Sequence, residues 1–167
     1  YRRGGGLIGT CIGGYVSNSS SSVNLSGGGT LGGLIGDIHT SSTIKIENCF
    51  ATGNIANTNT RYQWYYGGFV GYIITGTVQN CYSKGNVSGV RHCAGFTGYT
   101  ESATRITNCY STGTVQSTIN QVGGFISSNN SNYIISSYWD IESSGVSIST
   151  GGIGKTTVEM KMTSTFS

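Results

Sequence analysis

Six carboxylates, five cysteines, two histidines and one glycine-rich loop are the residues of this 167-residue chain whose types admit chemistry. The acids are Asp37, Glu47, Glu101, Asp140, Glu142 and Glu159. Glycoside cleavage needs two carboxylates about 5 to 9.5 Å apart. Asp140 and Glu142 are close in the chain but fall in its closing stretch, while Asp37 and Glu101 follow glycine motifs at different phase. No spacing favours a serine, histidine and acid relay, and His39 and His92 are the only histidines. Cys11, Cys49, Cys81, Cys93 and Cys109 include no Cys-x-x-Cys pair, which argues against a zinc site. Gly151-Gly152-Ile153-Gly154-Lys155-Thr156-Thr157 imitates a phosphate loop, whose amides and lysine cradle phosphates. Ser149 stands where that loop needs glycine, and the ten residues after Thr157 are too few for a nucleotide-binding sheet. The expectation is a chain with no catalytic residue, no cofactor and no metal.

The remaining chemical signal is aromatic. Arg61, Tyr62, Gln63, Trp64, Tyr65 and Tyr66 form the densest aromatic cluster, within an insertion between Asn57 and Tyr66. Tyrosine and tryptophan carry both apolar area and a polar handle, which suits contact with sugar or protein. Arg61, Tyr62, Trp64, Tyr65 and Tyr66 are therefore the candidate binding surface. The competing reading folds them back to cover the chain beside Gly67. Charge narrows the partners: nine Lys and Arg against six acids give +3, scattered along the chain. A nucleic-acid binder concentrates its basic side chains on one face, so no nucleic acid is expected. No run of 18 apolar residues exists to span a membrane.

What must position these residues is a repeat. Gly-Gly-apolar recurs as Gly5-Gly6-Leu7-Ile8-Gly9, Gly32-Gly33-Leu34-Ile35-Gly36 and Gly67-Gly68-Phe69-Val70-Gly71, then more weakly at Ala94-Gly95-Phe96 and Gly123-Gly124-Phe125. A second motif answers it at Asn48-Cys49-Phe50, Asn80-Cys81-Tyr82 and Asn108-Cys109-Tyr110, with degenerate forms at Asn18-Ser19 and Ser136-Ser137-Tyr138. The second glycine and the cysteine position lie 13 to 16 residues apart, and the next glycine 14 to 19 further on. The unit is about 13 plus 14 residues, with the insertion after Cys49. Short apolar segments separated by glycine, serine and asparagine read as strands and turns, and strands this short need stacked neighbours to build a core. The sequence predicts an all-β parallel β-helix, a β-solenoid of about five coils over residues 1–137, with a short C-terminal capping segment over 138–167. Leu7, Leu34, Phe69, Phe96 and Phe125 form one expected inward ladder, and Cys49, Cys81 and Cys109 another. Free buried thiols are favoured over a bridge between adjacent coils. Thr156 and Glu159 have capping-box spacing, and Met160 or Met162 would shield the end of the core. Sequons at Asn18, Asn24, Asn86 and Asn129 are expected by chance in a chain this rich in Asn, Ser and Thr.

These motifs resemble the GLUG-repeat family, and the closing stretch from Ser137-Tyr138-Trp139-Asp140 to Glu159-Met160-Lys161 resembles the segment that ends such arrays. The resemblance covers nearly the whole chain, the first copy departing most. It implies a secreted or cell-surface microbial protein of adhesin-like type with a repetitive architecture, and no defined ligand. The expected role is a non-catalytic structural or adhesive module. Its partner would be a glycan or protein of a host or neighbouring cell, or copies of itself. A subunit of a self-assembling filament is the alternative, and a carbohydrate-active β-helix enzyme a more distant one.

Overall fold

Glycine pairs set the path of each coil. The computed structural model describes residues 2–39, 44–57, 63–119, 121–131 and 133–166. These form parallel strands throughout, with one four-residue helix, Ile141–Ser144, and two 3-10 turns, Glu159–Lys161 and Thr163–Thr165. The architecture is a parallel β-solenoid.

Each coil contributes to four sheets. A five-stranded sheet stacks Arg3–Gly5, Gly29–Gly32, Gln63–Gly67, Cys93–Ala94 and Val122–Gly123. Five strands on one face correspond to about four complete turns of the chain. The glycine pair then turns the chain into a long eight-stranded sheet, which includes Val70–Gln79 and Thr97–Thr107. The Asn-Cys motif makes the next corner, into a six-stranded sheet of short strands such as Phe50–Ala51, Tyr82–Ser83 and Tyr110–Ser111. A four-stranded sheet containing Ile55–Asn57 and Val87–Gly89 returns the chain to its starting face. At the Asn-Cys corner Asn18, Asn48, Asn80, Asn108 and Ser136 adopt φ of +45° to +55°. Among residues with a side chain, asparagine enters that left-handed region most readily. The side chains of Asn80 and Asn108 each donate to the preceding asparagine, at 3.3 Å.

The interior is divided in two. In the larger core Leu34, Phe69, Phe96 and Phe125 are fully buried, and the phenyl rings stack 4.8 and 4.7 Å apart. Burying a side chain of this size contributes about 1.5–3 kcal/mol. Leu7 holds the same register, its N–H donating to the Leu34 carbonyl at 2.9 Å, yet it is 49% exposed. No described residue lies beyond the first coil to cover it. Phe125, at the other end of the row, stays buried because Ser149 and Gly152 pack over it. The smaller core gathers Leu31, Ile55, Tyr66, Val87, Cys93, Val115 and Val146.

Cys49, Cys81 and Cys109 occupy equivalent corner positions, each thiol turned toward the carbonyl two residues back, at 3.1, 3.0 and 3.3 Å. All five cysteines are free and buried. Burial raises the Cys49 thiol pKa and pushes Cys93 up to about 12; Cys81 is raised by its hydrogen bond to Cys109 and then by burial. A thiol that seldom ionises and cannot be reached is inert. A thiol-reactive disulfide reagent is therefore expected to label essentially none of the five in the native protein and all five in urea. Prompt labelling of the native chain would contradict this packing.

The closing stretch forms the last layer. Ile153–Lys155 pairs with Tyr138–Asp140, and between them Asp140 caps the short helix, its Oδ1 accepting from Glu142 N and Ser143 N at 3.0 and 3.1 Å. Trp139 Nε1 donates to the Val146 carbonyl at 3.1 Å, which fixes Val146 against the smaller core. Thr156 and Glu159 form a reciprocal capping box, with bonds of 2.8 and 3.2 Å. Met162 is 47% exposed and Met160 lines an outer hollow. The end of the core is covered instead by Val146 and the 148–152 stretch, which the chain reaches first.

Candidate functional site

The insertion returns to the solenoid through an irregularity. Gln63 pairs with Gly29 and Tyr66 with Leu31, so register shifts between them at Trp64 and Tyr65. A bulge of this kind re-aims side chains. It lays Tyr65 outward against Tyr72, Tyr99 and His92, with ring centroids 5.2, 5.0 and 5.0 Å away. Trp64 projects beyond, 39% exposed, and Tyr66 turns inward with no exposed area. Tyr66 is therefore a core residue and no part of a binding surface: it stands in register with Leu31 and Cys93, which line the same interior. Arg61 and Tyr62 lie outside the described residues. Of the five candidates, Tyr65 is a packing hub and Trp64 alone is placed as an exposed contact.

The tyrosines under Tyr65 couple one coil to the next. Tyr72 Oη donates to Glu101 Oε1 at 3.0 Å, and Asn130 Nδ2 donates to Tyr99 Oη at 2.6 Å. Burial, and then the bond to Glu101, push the Tyr72 pKa above the usual phenol range. Burial and the neighbouring Arg91 hold His92 below the usual imidazole value, so this patch is uncharged at its centre.

A second aromatic row runs along the outer face of the six-stranded sheet. Phe50, Tyr82 and Tyr110 stack at 4.9 and 5.0 Å with nearly parallel planes, and Tyr138 follows in register. Phe166 comes back from the closing stretch to meet Tyr110 and Tyr138, at 5.9 and 5.5 Å. It separates two open hollows of about 580 and 510 Å³. In the sequence these tyrosines stand only as motif positions. The signal available was their one-per-coil recurrence beside the asparagines.

Every carboxylate has a structural contact. Glu47 pairs with Lys45 at 2.6 Å and accepts from Gln79 Nε2 at 2.7 Å. Glu101 holds Tyr72. Asp140 accepts from the Thr157 hydroxyl at 2.8 Å and Glu142 from the Thr157 N–H at 2.8 Å. Glu159 accepts from Thr156 N and from Lys155 Nζ, at 2.8 and 3.3 Å. In the Gly151–Thr157 stretch the Thr156 and Thr157 amides and Lys155 are thus already bonded to carboxylates, and the Ile153 amide to the Ser137 carbonyl.

Asp37 and Asp140 are the buried carboxylates, and Asp37 differs in its partners, with 1% of its side chain exposed. Arg3 Nε lies 2.5 Å from Oδ2 and His39 Nδ1 3.8 Å away, but neither Asp37 oxygen completes a hydrogen bond. Burial outweighs the attraction of Arg3 and His39, and the Asp37 pKa is raised. The native state therefore holds the proton more tightly than the unfolded chain. Stability from this group is gained as pH falls through the raised value toward the ordinary carboxylate range, and lost as pH rises through the same window. Asp37→Asn is expected to remove that dependence without loss of stability at neutral pH. Arg3→Ala, which leaves the carboxylate buried without its cation, is expected to cost about 3 kcal/mol. Urea unfolding from mildly acidic to neutral pH measures both.

Comparison with known proteins places the motifs. The GLUG motif matches at residues 62–88 and 94–116, the third and fourth coils. A relative, Halomucin from Haloquadratum walsbyi (strain DSM 16790 / HBSQ001), is 36% identical over 88 residues, half of this chain and 1% of that protein. The chain thus spans a small fraction of the curated relative's length. No solved structure matches.

Proposed function

We propose that this GLUG-repeat chain is a non-catalytic structural or adhesive module of an extracellular or cell-surface repeat protein. The observation that carries the reading is that the groups able to do chemistry are engaged in joining coil to coil. The bonds from Tyr72 to Glu101, Asn130 to Tyr99 and Gln79 to Glu47 each cross between coils, so the polar surface acts as a set of staples. The family resemblance supports the location, and the similarity to a much longer relative fits a module within a larger protein. Two measurements test this. Antibodies raised against the module should label intact producing cells without permeabilisation. A panel of polysaccharides should show no turnover; turnover abolished by Glu101→Gln or Asp140→Asn would overturn the non-catalytic reading.

Filament assembly has one observation in its favour: among the described residues Arg3–Gly5 and Ile8–Cys11 each pair on one side only, beside the half-exposed Leu7. Unpaired edges of this kind recruit strands. At the opposite end the 146–152 stretch lies over Phe125 and the smaller core and covers part of that face, while Val115–Ser117 and Ile153–Lys155 pair on one side only among the described residues. The isolated chain is expected to sediment as a monomer over a wide concentration range. Concentration-dependent polymers in analytical ultracentrifugation would favour the filament.

A further inference from the structure

The outer tyrosine row and the closing stretch together build a cleft whose lining is polar and aromatic, with two exposed lysines and one buried carboxylate. Its floor carries the hydroxyls of Tyr82, Tyr110 and Tyr138, none of which bonds to another described residue. One wall holds the Asn80 and Asn108 carboxamides. The other hollow, across Phe166, is lined by Lys84, Lys161 and Asp140. The Asp140 carboxylate is buried and turned onto Glu142 N, Ser143 N and the Thr157 hydroxyl, and neither lysine has an acidic partner among the described residues.

We propose that this cleft binds a linear acidic polysaccharide laid along the solenoid axis. The inference rests on the adhesive form of the reading above and gives it a ligand class. Three features select the ligand. The stacked rings spend their faces on one another, so a ligand in the cleft meets ring edges and hydroxyls, which suits a hydroxyl-rich chain better than a flat aromatic. Phe166, half exposed, supplies one apolar ring against which the carbon face of a sugar can rest. Equivalent groups recur once per coil, at the 4.9 and 5.0 Å ring spacing, which is close to the length of one pyranose unit, so successive sugars meet equivalent side chains. Lys84, held 5.2 Å over the Tyr82 ring, and Lys161 then select carboxylate-bearing units over neutral ones.

The test is calorimetric titration of the full chain with oligogalacturonate and, separately, with a neutral cello-oligosaccharide. Saturable binding of the uronate is expected, weakening with added salt, with little binding of the neutral oligomer. Lys84→Gln with Lys161→Gln should weaken uronate binding about tenfold or more. Phe166→Ala should weaken it to a smaller degree, and Trp64→Ala should leave it unchanged. These positions are at the surface, so unchanged thermal unfolding will show that the fold is intact. No saturable uronate binding, equal binding of the neutral oligomer, or indifference to the paired lysine substitution would each overturn the proposal. The non-catalytic module reading is judged by turnover and surface labelling, and it survives any of those results.

Discussion

Gly95→Ala is expected to destabilise the chain by more than about 4 kcal/mol, the range reached only by a few identifiable mechanisms. The mechanism here is a collision of backbone between coils. A Cβ at Gly95 would stand 2.3 Å from the Gly124 carbonyl oxygen and 2.8 Å from Ser111 Oγ. The same holds up the row: Gly6 meets Gly33 O at 2.3 Å, Gly33 meets Gly68 O at 2.1 Å, and Gly68 meets Gly95 O at 2.2 Å. The stack can relieve such a contact only by separating two coils along a whole corner. A Cβ at the first glycine of a pair would also meet backbone, at 1.9 Å from Ile35 O for Gly32 and from Val70 O for Gly67, yet the fourth coil accommodates Ala94 there, in register with Gly67 and Gly123. The second position is glycine in all five copies. Gly13→Ala is the control, because a Cβ there meets nothing within 4 Å and its φ is ordinary. That change is expected to be neutral or to stabilise by up to about 1 kcal/mol through the unfolded chain. Urea denaturation of the two variants reads the contrast, and a mild Gly95→Ala would show that the coils are not locked at this corner.

That contrast also shows what the sequence made legible. A repeat declares itself through positions with no freedom, and the second glycine and the Asn-Cys corner are such positions, so solenoid and corners follow from spacing. The candidate surface was less legible. Tyr66 stands in sequence with its aromatic neighbours of the insertion, but it precedes a glycine pair, as Leu31 and Val122 do, and that phase turns it inward. The asymmetry of the ends was hidden as well: Leu7 and Phe125 hold the same motif position, and only three-dimensional cover distinguishes 49% exposure from none. Contacts between coils, such as Tyr72 with Glu101, join residues 29 apart at different phases of the unit, and periodicity does not reveal them. Phe166 lies outside the repeat, so the cleft it divides had no periodic signature.

These coil-to-coil contacts give the proposed role a physical basis. In a stack each coil touches only its neighbours, and stability is close to a sum of nearest-neighbour terms. A protein built this way gains length without a large single core, and its side chains recur at a fixed spacing on each outer face. Display and reach need that property. A catalytic centre needs a few groups brought together with unusual environments, and here Asp37, whose pKa burial raises, is held against Arg3 between the first two coils.

Phe96→Ala is expected to cost about 3–5 kcal/mol, the range for deleting a fully buried aromatic side chain. Phe96 has no exposed area and stacks on Phe69 at 4.8 Å and on Phe125 at 4.7 Å, so the loss includes two ring contacts of about 0.5–1.5 kcal/mol each. Phe96→Leu should be far milder, about 1.5 kcal/mol or less, because Leu34 already fills the equivalent place two coils away with no exposed area. Leu7→Ala should fall lower still than Phe96→Ala, at about 1 kcal/mol, since half of that side chain is already in water. The position of Phe96 gives a further consequence. It sits in the fourth coil, and its loss weakens the interfaces on both sides of that coil together. A one-dimensional stack interrupted there should uncouple, so hydrogen exchange of residues 122–135 should rise relative to the 29–57 coil before global unfolding. Equal exchange in the two segments of Phe96→Ala would mean that the stack unfolds as one unit and that the nearest-neighbour description fails for this chain.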